Sequence, residues 1–434
     1  MASRSESVVG DRTRRRPVHA DDSAAAGHDR PDTVVRTRGF SPDRGYGRRD
    51  GPRPTGDRPK TPATAAATDR SGATVRLIAT TNRGFESVST DEVAGLVSAS
   101  PSVVWPGAIA FEGDESTLYR LHARARTINR VLVEVAAGPV DGLDDVAALV
   151  GTATIPEYVA PGRPFAVRST RHGDHPFTSM DVADRVGRAT IDAVRAAGGD
   201  LPVDLDDPDT ILRVFVREDY AWLAVDVTGG RSLHRRGYRT VEHEAPLRPT
   251  MAAALCRLAG VDDGTSVLDP TCGCGAIPIE AALLARDRPP VPDRQFAFDA
   301  VPFADVDQFR AVRDDHPTRG RCPPIRGIDV EDRWIAGAHR NAAAAGVDDD
   351  VAFELGDATA TTPSADLVIA DLPFGVRTDG TGLDTLYRGL FDALGDEPER
   401  VVVFTARDDL VPVEPTRRLD VRHGRLDAAV LIVE

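Results

Sequence analysis

Lysine is almost absent: Lys60 stands alone, and every other fixed cation among 434 residues is arginine. Long apolar runs are missing too. Stretches such as Ala252 to Leu255 and Val401 to Phe404 are far short of the ~20 residues a membrane span needs. The N-terminus is charged from Arg4 onward and has no apolar signal core, so a cytoplasmic protein is expected. Only four cysteines occur, at 256, 272, 274 and 322. Cys272 and Cys274 are separated by one residue, too tight for a C-x-x-C zinc pair. Neither a disulfide framework nor a metal site is expected.

Acidic residues outnumber basic ones by 68 to 53, a net charge of −15. With lysine nearly absent, this resembles the proteome of a salt-in halophile, whose acidic surfaces stay hydrated in molar salt. A GC-rich genome would also favour Arg and Asp. The charge is unevenly spread. Residues 1–72 hold 15 basic and 10 acidic side chains among Pro, Gly and Ser, without helical or strand period. By composition they are a disordered basic tail. Such an arm could touch an anionic partner, or be only a solvated tail.

From Thr74 the pattern becomes regular. Thr74–Thr80 and Val103–Phe111 read as strands, Val88–Ala99 and Ser116–Thr127 as helices, and Arg130–Ala136 as a third strand. This β-α-β-α-β order predicts a small ferredoxin-like α+β unit over 73–139. A second unit over 140–230 has a helical turn at Val146–Val150, a strand at Phe165–Ser169 and a long helix at Ser179–Ala197. A hairpin of Leu212–Arg217 and Ala221–Val227 closes it. Between strand and helix, Arg168 and Arg171 lie on a predicted loop, where arginines suit phosphate contacts as well as plain solvation. Residues 231–245 read as a linker. It carries Leu233-His234-Arg235-Arg236-Gly237-Tyr238-Arg239, in which Arg235 and Arg236 are further candidates for phosphate contact.

Residues 246–434 alternate strands and helices and finish in a hairpin about His423-Gly424. This predicts an α/β, doubly wound sheet with one antiparallel strand from the terminal hairpin. Its first strand runs into Asp269-Pro270-Thr271-Cys272-Gly273-Cys274-Gly275-Ala276, and a helix follows. Glycines there let the backbone approach a ligand at the carboxyl edge of the sheet. Pro278 stands where a dinucleotide fingerprint needs its third glycine, so a ligand without a pyrophosphate fits better. Asp329 ends the second strand, where an acid takes ribose hydroxyls. Asp357, followed by Ala358, comes after the third. Alone, each acid is an ordinary helix cap; together they describe a nucleoside pocket.

The fourth strand ends in Asp371-Leu372-Pro373-Phe374-Gly375. There the Asp371 side chain and the Pro373 carbonyl can both accept from one exocyclic amine, and Phe374 can stack on its base. Proline's fixed φ helps aim the carbonyl. Holding an amine so that its lone pair faces a methyl donor is catalysis by positioning, without a metal.

With these motifs, residues 74–434 resemble the THUMP-containing, S-adenosylmethionine-dependent RNA guanine-N2 methyltransferases. The resemblance rests on the glycine turn, the strand-end acids, D-L-P-F-G, L-H-R-R-G-Y-R and the long segment from Arg286 to Pro324. It implies a THUMP RNA-binding domain over 140–230 and a Rossmann-like methyltransferase domain over 246–434. S-Adenosylmethionine would be held by Asp269, Thr271, Gly273, Gly275, Ala276, Asp329, Asp357 and Ala358. The catalytic residues would be Asp371, Pro373 and Phe374. RNA contacts would fall at Arg168, Arg171, Arg235 and Arg236. Asp371, Leu372 and Phe374 together favour the branch that acts on guanine 6 of the tRNA acceptor stem, gripping its 3' end. Ribosomal RNA or another tRNA position is the rival within the class, and a non-catalytic RNA-binding protein the rival outside it. No protein partner is evident.

Overall fold

The computed structural model describes residues 74–153, 155–243, 246–291, 294–300, 304–315, 318–361, 364–375 and 382–434. The basic tail of residues 1–72 lies outside them. Two seven-stranded sheets organise the described residues. The first begins with β1 (Val75–Thr81), α1 (Glu86–Leu96), β2 (Ser102–Trp105), β3 (Ala108–Gly113), α2 (Glu115–Arg124) and β4 (Ile128–Pro139). The single strand expected over Val103–Phe111 is in fact the hairpin β2–β3. The chain reverses at Pro106-Gly107, with Gly107 at φ +94°. A continuous apolar run on both sides hides this turn from a periodicity reading. The unit is therefore βαββαβ. Its second helix starts where Asp114 accepts from the Thr117 amide across 2.8 Å, a capping box.

Then follow α3 (Leu143–Ala148), β5 (Phe165–His172), α4 (Ser179–Ala196), β6 (Thr210–Arg217) and β7 (Tyr220–Asp226). The strand order is β2-β3-β1-β4-β7-β6-β5. Twelve-residue β4 explains why two α+β units make one sheet. Its first half pairs with β1, and its second half pairs with β7. Inward residues such as Leu77, Val131, Leu212 and Val214 meet Leu118, Val182 and Val186 of the helices in one core.

The second sheet is built from α5 (Pro249–Ala259), β8 (Val267–Asp269), α6 (Ala276–Ala285), α7 (Val306–Asp314), β9 (Ile325–Asp329), α8 (Asp332–Ala345) and β10 (Val351–Leu355). It continues with β11 (Leu367–Asp371), α9 (Leu383–Leu394), β12 (Arg400–Thr405), β13 (Arg417–His423) and β14 (Leu426–Val433). Its order is β10-β9-β8-β11-β12-β14-β13. Strands β8 to β12 run parallel, and β14 runs antiparallel between β12 and β13. The doubly wound sheet with a terminal antiparallel hairpin is thus present. The winding reverses between β8 and β11, which opens a crevice at their carboxyl ends.

The two halves interlock. Phe296, Phe298 and Phe309, from the long segment after α6, pack in the first core against Tyr119 and His122. Phe85 and Val88 of the first unit enter the second core. Residues 231–243, expected as a linker, lie packed between: Leu233, Arg236 and Tyr238 are buried, and Asn341 accepts from the Thr240 and Val241 amides. Among the described residues no helix is long and apolar enough to cross a membrane.

Candidate active site

The crevice holds a cavity of about 720 Å³. That is within the usual range for small-ligand sites. Its floor is the turn after β8. Asp269 is fully buried and accepts from the Thr271 amide across 3.1 Å. Burial pushes its carboxyl well above the usual range. Gly273 has φ +51°, a left-handed conformation that favours glycine. Its amide donates to Asp329 Oδ2 across 3.0 Å, while Asp329 Oδ1 accepts from the Glu331 amide at 2.9 Å. The acid at the end of β9 is thereby tied to the glycine turn. Asp357 caps the next short turn through Oδ1, which accepts from the Thr359 amide at 2.8 Å. Thr271, Ala276 and Ala358 complete this side of the lining, with the highly exposed Val330 beside them.

Gly275 differs from the expectation. It is not among the lining residues. At φ +82° it is the residue before α6, and a Cβ there would meet Phe353 at 3.0 Å and Ala338 at 3.2 Å. Its lack of a side chain serves the packing of helix against sheet.

At the end of β11 the acceptor motif enters the same cavity, so Asp371, Pro373 and Phe374 stand beside the glycine turn. Thr271 Oγ1 donates to the Asp371 carbonyl across 3.2 Å, joining the two motifs. The Leu372 amide donates to the Phe404 carbonyl at 3.0 Å and carries the chain past the sheet edge. Burial pushes the half-buried Asp371 carboxyl up to about 7. Phe374 is half-buried, with its ring 6.4 Å from that of His423 on the terminal hairpin.

Sequence reasoning missed several residues here. Arg239, His243, Trp334 and His423 all line the cavity. Arg239 belongs to the L-H-R-R-G-Y-R stretch, whose arginines invited an RNA reading. Trp334 is the third residue of α8 and sits 4.3 Å from the His243 ring. Tyr387 on α9 reaches the Pro373 carbonyl across 3.1 Å.

The arginine candidates separate. Strand β5 runs to His172, so Arg168 and Arg171 are on a strand and not on a loop. Three residues apart, they point to opposite faces of the sheet and cannot share one surface. Arg168 donates to the Leu205 carbonyl at 2.6 Å, and Arg171 to the Gly173 carbonyl at 2.7 Å. Arg235 is exposed. Arg236 is buried and donates to Glu280, to the Leu233 carbonyl and to the Arg126 carbonyl. Its role is internal, and it is withdrawn as an RNA contact.

Comparison with known proteins agrees with this geometry. Residues 236–423 match the RMKL-like methyltransferase domain, 141–226 the THUMP domain and 76–132 the RlmL ferredoxin-like domain. The chain is 34% identical over 338 residues to a tRNA (guanine(6)-N2)-methyltransferase of Archaeoglobus fulgidus, covering 76% of this chain and 83% of the relative. It is 32% identical over 347 residues to the protein of the same name from Methanocaldococcus jannaschii, covering 76% and 90%. Among solved structures, TrmN from Thermus thermophilus aligns with a TM-score of 0.62 and 26% identity over 83% of this chain and 99% of that one. The chain belongs to the THUMP-containing, S-adenosylmethionine-dependent RNA guanine-N2 methyltransferase family.

Proposed function

We propose that this protein methylates the exocyclic N2 of guanine 6 in the tRNA acceptor stem, in the cytoplasm. The observation that carries the reading is the joint cavity. An acid-edged glycine turn and a D-L-P-F-G motif face one space and are tied by the Thr271–Asp371 hydrogen bond. The two archaeal relatives support the choice of base and position by their names. The domain division is part of the proposal: an arm to 72, ferredoxin-like 73–139, THUMP 140–230, a joining segment to 245, whose residues 231–243 pack against both halves in place of a free linker, and methyltransferase 246–434. The family matches support the three domains, and the methyltransferase match begins at 236, within the joining segment.

The cavity's donor set fits the cofactor. Carboxylates at Asp329 and Asp371 suit a cationic sulfonium, and the apolar Val330, Ile277 and Ala358 suit an adenine. Asp329 would take the ribose hydroxyls, Asp357 and Ala358 the base edge, and the Gly273 turn the remainder. Gly275 would act through the helix it starts. When bound, S-adenosylmethionine supplies an electrophilic methyl group.

The chain's own residues then do three things. Asp371 and the Pro373 carbonyl accept from the guanine amine and fix its direction. Phe374 offers a face for the base, which must leave its paired stem to arrive there. Asp371 stabilises the cation that develops on the amine and accepts its proton. The THUMP and ferredoxin-like units would hold the acceptor stem and 3' end, with Arg235 and either Arg168 or Arg171, which face opposite sides of the sheet, as the remaining arginine candidates. The test is incubation of purified protein and labelled cofactor with tRNA or ribosomal RNA, followed by nucleoside mass spectrometry. Label in N2-methylguanosine from tRNA supports the proposal; label from ribosomal RNA alone, or none, refutes it.

A further inference from the structure

Resting on that reading of D-L-P-F-G, we propose that Tyr387 is a positioning residue: its hydroxyl fixes the Pro373 carbonyl as an acceptor for the target amine. Tyr387 is fully buried on α9, with its ring in the cluster formed by Ala370, Leu372 and Leu390. Its hydroxyl lies 3.1 Å from the Pro373 carbonyl and 2.6 Å from Thr405 Oγ1.

The direction of these bonds follows from proton counting. A carbonyl oxygen cannot donate, so the phenolic proton goes to Pro373. Thr405 must then give its own proton to the Tyr387 oxygen. Thr405 Oγ1 is left as an acceptor, and it accepts the Arg407 amide across 2.8 Å. The donors therefore run one way, from Arg407 through Thr405 and Tyr387 to Pro373. Each hydroxyl both accepts and donates, and such chains polarise one another. Burial pushes the Tyr387 phenol up to about 12, so it stays protonated near neutral pH.

The chain acts where the rest of the motif's support stops. Thr271 holds the Asp371 carbonyl, and the Phe404 carbonyl holds the Leu372 amide. Pro373 has no N–H to be anchored by. One lone pair of its carbonyl is taken by Tyr387, so the carbonyl's orientation is set from the protein side while the residue lines the cavity.

The experiment compares Tyr387→Phe, Thr405→Val, Thr405→Ser and the double change Tyr387→Phe/Thr405→Val with wild type. Single-turnover tRNA methylation, KM for tRNA, calorimetric cofactor affinity and thermal unfolding are all measured. Tyr387→Phe keeps the ring and removes the donor. Its methylation rate should fall about 5- to 10-fold, the scale of one hydrogen bond. KM and cofactor affinity should stay within about twofold on the same grounds. Thr405→Val should show the same loss, Thr405→Ser should recover most of the rate, and the double change should be no slower than Tyr387→Phe. Wild-type rates in Tyr387→Phe or Thr405→Val would overturn the proposal, as would a change confined to KM. If Tyr387→Phe fails to fold, the Thr405 pair decides by the same criteria. A wild-type protein that leaves guanine N2 unmethylated would instead sink the reading of the whole site.

Discussion

Arg236 Nε and Glu280 Oε1 are 3.1 Å apart, and neither side chain has any exposure to solvent. The pair joins the segment after the THUMP unit to α6, the helix that starts at the glycine turn. Tyr238 Oη donates to the same Glu280 oxygen at 3.0 Å. Arg236→Ala would leave a carboxylate buried without its cation, which typically costs about 3–5 kcal/mol. Urea unfolding should show that loss, while RNA affinity per folded molecule stays unchanged. Undiminished stability with weakened RNA binding would return Arg236 to the RNA surface.

Asp371 should dominate the chemistry. Asp371→Ala removes one acceptor and its negative charge, and losing such a contact costs about 10²–10³ in rate. Asp371→Asn keeps a carbonyl oxygen in nearly the same place and should retain measurable turnover. Phe374→Ala should fall between them, since base stacking is worth about 1–3 kcal/mol. Cofactor affinity, measured by calorimetry, should change little in all three. A wild-type single-turnover rate for Asp371→Ala would contradict the assigned role.

The pH dependence follows from the same carboxyl. Its folded value of about 7 lies above the ordinary aspartate range. The ionised form is the acceptor, so the single-turnover rate should climb from about pH 6 to about pH 8. For stability the sign is opposite. Between the unfolded value of about 3.9 and the folded one, the folded state holds more protons, so stability falls as pH rises through that window. Asp371→Asn should therefore gain stability over wild type at about pH 8 and lose the advantage near pH 4. Equal melting curves at both pH values would contradict the raised carboxyl.

Deleting residues 1–72 should leave folding and most of the activity intact. Strand β1 begins at Val75, and the first fully buried core residue among the described residues is Leu77. Thermal unfolding and single-turnover rate check this; aggregation of the shortened chain would refute it.

The methyltransferase half was the more legible in sequence. Strands are present at Val351–Leu355 and Arg400–Thr405, and Asp269, Asp329 and Asp371 each close a strand as their positions suggest. Short buried strands read as plain apolar blocks with an acid at the functional edge. Three things could not be read. The turn at Pro106-Gly107 is hidden inside one apolar stretch. The reach of β5 to His172 depends on pairing with β6, because its last residues are polar and favour a loop reading. Arg236 looked exposed because its partner is 44 positions away. Tyr387 carries the same lesson: its place within a helix says nothing of where its hydroxyl points.

The most direct test compares RNA from a strain lacking this protein with its parent, by nucleoside mass spectrometry and mapping of tRNA fragments. N2-methylguanosine should disappear at position 6 of the tRNAs that carry it and be restored by the wild-type protein but not by Asp371→Ala. Loss from ribosomal RNA with tRNA unchanged, or no loss at all, would contradict the proposed function.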